Sequence, residues 1–155
     1  MEHKKRRPAG PIFAILLAWP LLAWGQAEEV DIEALKKTAP KVFIDCSSCD
    51  LEYIKTEATF VNYVRDRKEA EVHVLITTQR TGSEGKEYTL TFLGQNGLKG
   101  LDDVQKFVSG KTDTDDEIRR GLVRALKLGL MSYVARTPIA RRIEVDFKPE
   151  ARPTE

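Results

Sequence analysis

The chain has few of the residues that carry most enzyme chemistry: two cysteines, two histidines and two methionines among 155 residues. His3 lies in a leader segment, so the rest of the chain holds His73 alone. A Ser-His-Asp relay has no specific candidates around one histidine, and two thiols do not complete a zinc site without recruited carboxylates or a second chain. No catalytic set, metal or other cofactor is therefore expected. Charge of one sign is also missing: the formal net charge is +1, which leaves no basic footprint for nucleic acid. Gly82-Ser83-Glu84-Gly85 and the three glycines of residues 94–100 lack the strand-to-helix setting of a phosphate loop and read as turns. There is no internal repeat and no low-complexity tract. Long hydrophobic runs are confined to residues 12–24, which are shorter than the ~20 apolar residues a membrane span needs and are interrupted by Pro20.

That run follows Lys4, Lys5, Arg6 and Arg7 and ends in Gly25-Gln26-Ala27, which puts small residues at both cleavage-site positions. Residues 1–27 thus read as a secretory signal peptide. No cysteine follows closely, so a lipid-modified N-terminus is not expected. The leader carries +3 of the formal charge, leaving about −2 on the remaining ~128 residues. The expectation is one exported domain over residues 28–148, in the periplasm or associated with the outer membrane of a bacterium, followed by a polar tail over 149–155. The mature chain should hold no transmembrane span.

The strongest local pattern lies in residues 112–138. Thr114 can cap a helix with Glu117 three residues on, and Asp115, Asp116 and Glu117 place negative charge at the positive end of its dipole. Ile118, Leu122, Ala125, Leu126, Leu130, Tyr133 and Val134 recur at helical spacing, and Pro138 supplies the stop. Gly121, Ala125 and Gly129 form a row of small residues at four-residue steps, which predicts close packing on a sheet despite the cost of glycine within a helix. The acidic cluster of Asp113, Asp115, Asp116 and Glu117 lacks calcium-loop spacing and is explained by capping. Arg120, Arg124 and Lys127 suggest an anionic partner or, more simply, a solvated helix face.

Before that helix, residues 41–45 read as a strand, residues 49–57 as a short helix capped by Ser47 or Ser48, and residues 58–64 as a second strand. Alternation of Val72, Val74 and Ile76, then of Tyr88, Leu90 and Phe92, predicts an antiparallel hairpin with its tip at residues 80–86. His73 falls on the more polar face, where a solvated or hydrogen-bonded histidine is expected and not a catalytic base. Residues 28–39 read as a short helix or arm capped by Asp31, residues 101–108 have no definite type, and residues 142–147 alternate as a last strand. The fold class is α/β (α+β): a two-layer mixed sheet with a central antiparallel hairpin and a long C-terminal helix on one face.

Cys46-Ser47-Ser48-Cys49 stands at the end of a strand and the start of a helix, where thiol-disulfide oxidoreductases place their reactive pair. Asp45 and Asp50 flank it, and carboxylates beside a thiol oppose thiolate formation. A structural disulfide Cys46–Cys49 is the plainer reading. Redox activity with Cys46 as nucleophile and Cys49 as resolving thiol, or metal binding, stays open.

Residues 60–95, FVNYVRDRKEAEVHVLITTQRTGSEGKEYTLTFLGQ, and 112–138 together resemble the N-terminal soluble region of a family of exported bacterial envelope proteins that lacks an assigned activity. Some members continue into a longer outer-membrane segment. The layout of charged turn, strand and hairpin is similar to the N-terminal domain of the Tol-system propeller protein and to curli-secretion-type periplasmic domains. These resemblances imply a non-enzymatic domain that contacts an envelope protein or outer-membrane component.

Overall fold

The computed structural model describes residues 32–146; the expected leader, the Asp31 cap, Phe147 and the polar tail lie outside them. Eleven segments follow in order. Helix α1 (Ile32–Lys37) leads through Pro40 into strand β1 (Lys41–Asp45), followed by helix α2 (Leu51–Glu57) and strand β2 (Asn62–Tyr63). After a 3₁₀ turn come the long strands β3 (Val72–Arg80) and β4 (Lys86–Gly94). A second 3₁₀ turn precedes β5 (Asp103–Ser109), and helix α3 (Asp115–Val134) leads to a last 3₁₀ segment, Pro138–Arg142.

The five strands form one sheet in the order β2-β1-β3-β4-β5. β1 lies parallel to both β2 and β3, whereas β3-β4 and β4-β5 are antiparallel. The sheet is thus mixed, with the hairpin at its centre and α3 packed against it. Val72, Val74 and Ile76 of β3 pair across with Gly94, Phe92 and Leu90, and these apolar side chains share the face covered by Leu122, Leu126, Leu130 and Tyr133 of α3. Burial of each such large apolar group stabilises the fold by roughly 1.5–3 kcal/mol relative to exposure. Phe43, His73, Leu75 and Leu93 occupy the opposite face, as strand alternation requires.

Helix α3 begins as its sequence dictates. Thr114 Oγ1 accepts the Glu117 backbone N–H, and the Glu117 carboxylate accepts the Thr114 backbone N–H at 2.8 Å, completing a capping box. The second of these contacts, donated by the Thr114 backbone N–H, is also the main reason the Glu117 carboxyl is held below its ordinary value. The helix ends at Val134, and Pro138 opens the following 3₁₀ segment. Gly129 and Gly121 meet the rings of Phe92 and Phe107, so the small-residue row does let the sheet approach closely.

Four local expectations need correction. The second strand is two residues rather than seven, because Ala58 donates its N–H to Ile54 C=O and so finishes α2, while Ala58 and Val61 turn into the core. Helix α2 is capped by Asp50, whose carboxylate accepts the Tyr53 N–H at 3.0 Å, in place of Ser47 or Ser48. Residues 101–108, which have no definite type in the sequence, hold most of the edge strand β5, which runs from Asp103 to Ser109. Residues 143–146 form no strand, since the 3₁₀ segment carries them along the outside of α2 and α3, away from the sheet.

Candidate functional site

The sequence nominates three places: the cysteine pair, His73, and the basic row on α3. The cysteines stand between the end of β1 and the start of α2, half-buried against the core, with their Sγ atoms at disulfide distance and Cα atoms 5.8 Å apart. A thiolate at a helix N-terminus is stabilised by the free N–H groups there. Here the Asp50 carboxylate takes up the Tyr53 N–H and adds a negative charge directly beside Cys49. Arg119 approaches that carboxylate at 4.0 Å and stacks over the Tyr53 ring at 4.4 Å, which ties α3 to the start of α2. This geometry serves as a joint between α2 and α3 better than as a nucleophile's setting.

His73 is not solvated. It is only 6 % exposed, packs at 5.4 Å from the Phe43 ring, and its Nε2 finds no hydrogen-bond partner among the described residues. The nearest carboxylate oxygen, Asp45 Oδ2, lies 3.6 Å away, beyond hydrogen-bond length. Sequence alternation assigned the face correctly, but the central position of β3 buries what that face carries. Among the described residues no group of three or more His, Cys, Asp or Glu is placed to hold a metal ion.

Three members of the acidic cluster are taken up by backbone N–H groups or by arginines. Asp113 accepts the Gly110 N–H at 2.8 Å, Asp116 binds Arg119 and Arg120 at 2.6 and 3.0 Å, and Glu117 closes the capping box. The two glycine-containing loops lie at opposite ends of β4, so they do not form one recognition edge. Each is tied down: Lys111 pairs with Glu84 at the hairpin tip, and Asn96 donates to Ala70 C=O at 3.0 Å.

The basic row is different. Arg120, Arg124 and Lys127 line a groove of about 760 Å³ between α2, the outer face of α3 and residues 142–146. Its apolar surface comes from Tyr53, Phe60, Val123, Met131 and Ile143. Arg120 is held by Asp116, and Lys127 reaches Glu57 of α2 at 3.2 Å. Arg124 and Arg142 have no ion pair or hydrogen bond among the described residues. Leu128, on the same wall, is 61 % exposed. A polar helix face alone does not predict this groove; it exists because the chain folds back after Pro138. Among the described residues, no helix is long and apolar enough to cross a membrane.

No protein-family model matches the chain, and no curated protein matches it significantly.

Proposed function

We propose that this chain is a non-enzymatic, exported envelope domain that binds another protein or envelope component, and that it forms the soluble N-terminal part of a larger outer-membrane protein. The observation that carries this reading is the groove beside α3, where apolar side chains and uncompensated arginines lie open together. A combination of apolar floor and charged rim suits recognition of a partner. The resemblance of residues 60–95 and 112–138 to exported envelope proteins supports the compartment, as do the basic and apolar features of the leader sequence.

The test is crosslinking in the native envelope of the source cell, followed by identification of the captured partner. A defined partner crosslinked through residues of the groove is the expected result. Recovery of nothing above background, together with reduction of insulin by the purified protein, would replace this reading with that of a thiol-disulfide oxidoreductase using Cys46 and Cys49.

A further inference from the structure

Strand β5 is the free edge of the sheet: it is seven residues long, and among the described residues no strand lies beyond it. The register tells which of its residues face outward. Gln95 donates its N–H to Glu71 C=O and Thr81 donates to Gly85 C=O at the two ends of the β3-β4 ladder, so the odd-numbered residues of β4 bond to β3 and the even-numbered ones to β5. The latter stand opposite the odd-numbered residues of β5, which leaves the N–H and C=O groups of Val104, Lys106 and Val108 pointing away from the sheet. Their side chains lie on the face opposite α3, each more than half exposed. The other edge is built differently: β2 is two residues long, and the Asn62 side chain bonds back to the Lys36 and Ala39 carbonyls at 2.7 and 3.0 Å.

An open row of backbone groups flanked by two exposed valines is a template for strand addition. Two side chains stand in its way. The Asp103 carboxylate accepts the outward Val104 N–H at 2.8 Å through one oxygen and the Gln105 side-chain amide at 3.0 Å through the other, so the first donor of the row is already taken. Lys106, in the middle of the row, is held by Glu87 of β4 at 2.9 Å, which fixes its ammonium beside the edge, where an incoming strand must strip water from it. For a second copy the obstacle is sharper. The outward positions of Val104-Gln105-Lys106-Phe107-Val108 read alike in both directions, so an antiparallel twofold contact that pairs all three sets Val104 against the copy's Val108 and Lys106 against the copy's Lys106. Like charges directly opposite one another destabilise a strand pair. A register shifted by two residues avoids that meeting but gives up one of the three pairs.

We infer that Asp103 and Lys106 hold the free edge of the sheet closed, keeping a second copy of this chain from adding its β5 to β5. The valines on either side make the edge adhesive once the central charge is gone, so one lysine decides whether the protein stays single. The inference is independent of the groove beside α3, because β5 lines no part of that groove.

Sedimentation equilibrium on the purified protein tests this, with amide hydrogen exchange locating any contact. Wild type is expected to sediment as a monomer at every accessible concentration, with fast exchange at Lys106 and Val108. Lys106→Val should sediment as a concentration-dependent dimer, with slowed exchange at positions 106 and 108. Val108→Pro added to Lys106→Val should restore the monomer, since it removes an outward N–H and no bond to β4. Lys106→Thr, which keeps a polar residue on the strand, should also dimerise, and it answers the same question if Lys106→Val fails to fold. Asp103→Ala added to Lys106→Thr should tighten that dimer severalfold by freeing the Val104 N–H. The inference is overturned if Lys106→Val and Lys106→Thr both stay monomeric, if their slowed amides lie outside β5, or if Val108→Pro leaves the dimer intact. It is overturned equally by a wild type that dimerises through β5, or by slow exchange at 106 and 108 in a monomeric wild type, which would mean that another part of the chain already covers the edge.

Discussion

The ring of Phe92 lies against the bare Cα of Gly129: a β-carbon there would stand 2.2 Å from Phe92 Cζ. Phe92 is fully buried on the central hairpin, so its ring has no free direction in which to yield. Gly121 faces Phe107 at a similar 2.3 Å, but Phe107 is half-buried on the edge strand β5 and can swing toward solvent. Alanine in a helix gains up to about 1 kcal/mol over glycine, whereas overpacking a tight core costs about 1–3 kcal/mol. Gly129→Ala should therefore lower the melting temperature by several degrees, and Gly121→Ala should change it little. Equal effects in thermal denaturation would show that the two rings yield alike.

The capping box gives α3 an acid-sensitive start. The Glu117 carboxyl is held below its ordinary value chiefly by the Thr114 backbone N–H, then by the Thr114 hydroxyl. A carboxyl lowered on folding contributes stability above its unfolded value, and that contribution is lost as pH falls through its folded value. Glu117→Gln should consequently be less stable than wild type at neutral pH, and the difference should shrink as the pH is taken from about 5 downward. Melting curves of both proteins across that range test this; a pH-independent difference would assign the effect to the amide's geometry instead of the charge.

Local signals were legible and distant ones were not. Thr114, Glu117 and Pro138 announce α3 because cap, dipole and stop act within a few residues. Alternation of Val72, Val74 and Ile76 against Leu90 and Phe92 likewise fixes the hairpin, since both strands bury one face. Strand β5 is hard to read from sequence because it turns Val104 and Val108, each more than half exposed, away from the core, and on its inner face Phe107 stands among the polar residues Asp103, Gln105 and Ser109. Residues 143–146 misled in the opposite sense: their pattern favours a strand, but strand pairing needs a neighbour that the fold does not place there. The groove depends on that same return of the chain, so the row Arg120, Arg124 and Lys127 looked like an ordinary solvated face.

His73 presents a buried Nε2 without a hydrogen-bond partner among the described residues, next to Phe43 and 3.6 Å from Asp45 Oδ2. An unmet buried polar atom costs about 1–3 kcal/mol, and replacing it with an apolar group of similar shape removes that cost. His73→Phe should keep the fold and raise stability by about 1 kcal/mol in denaturant unfolding. A loss of stability would mean that Nε2 makes a bond in solution that these contacts do not include.

The charge of Asp50 bears on whether Cys46 and Cys49 can act as thiols at all. Its carboxylate occupies the N-terminus of α2 through the Tyr53 N–H, where a helix would otherwise favour a thiolate, and it adjoins Cys49 in sequence. Arg119 at 4.0 Å offsets part of that charge from an exposed position. Asp50→Asn keeps an oxygen to cap the helix and removes the charge. After reduction, the variant's thiols should react with iodoacetamide at pH 7 roughly three- to tenfold faster than those of wild type. The wild-type protein should meanwhile fail to reduce insulin. Equal alkylation rates would show that Asp50 does not hold the thiols protonated, and rapid insulin reduction by wild type would make the pair a redox centre despite its acidic flank.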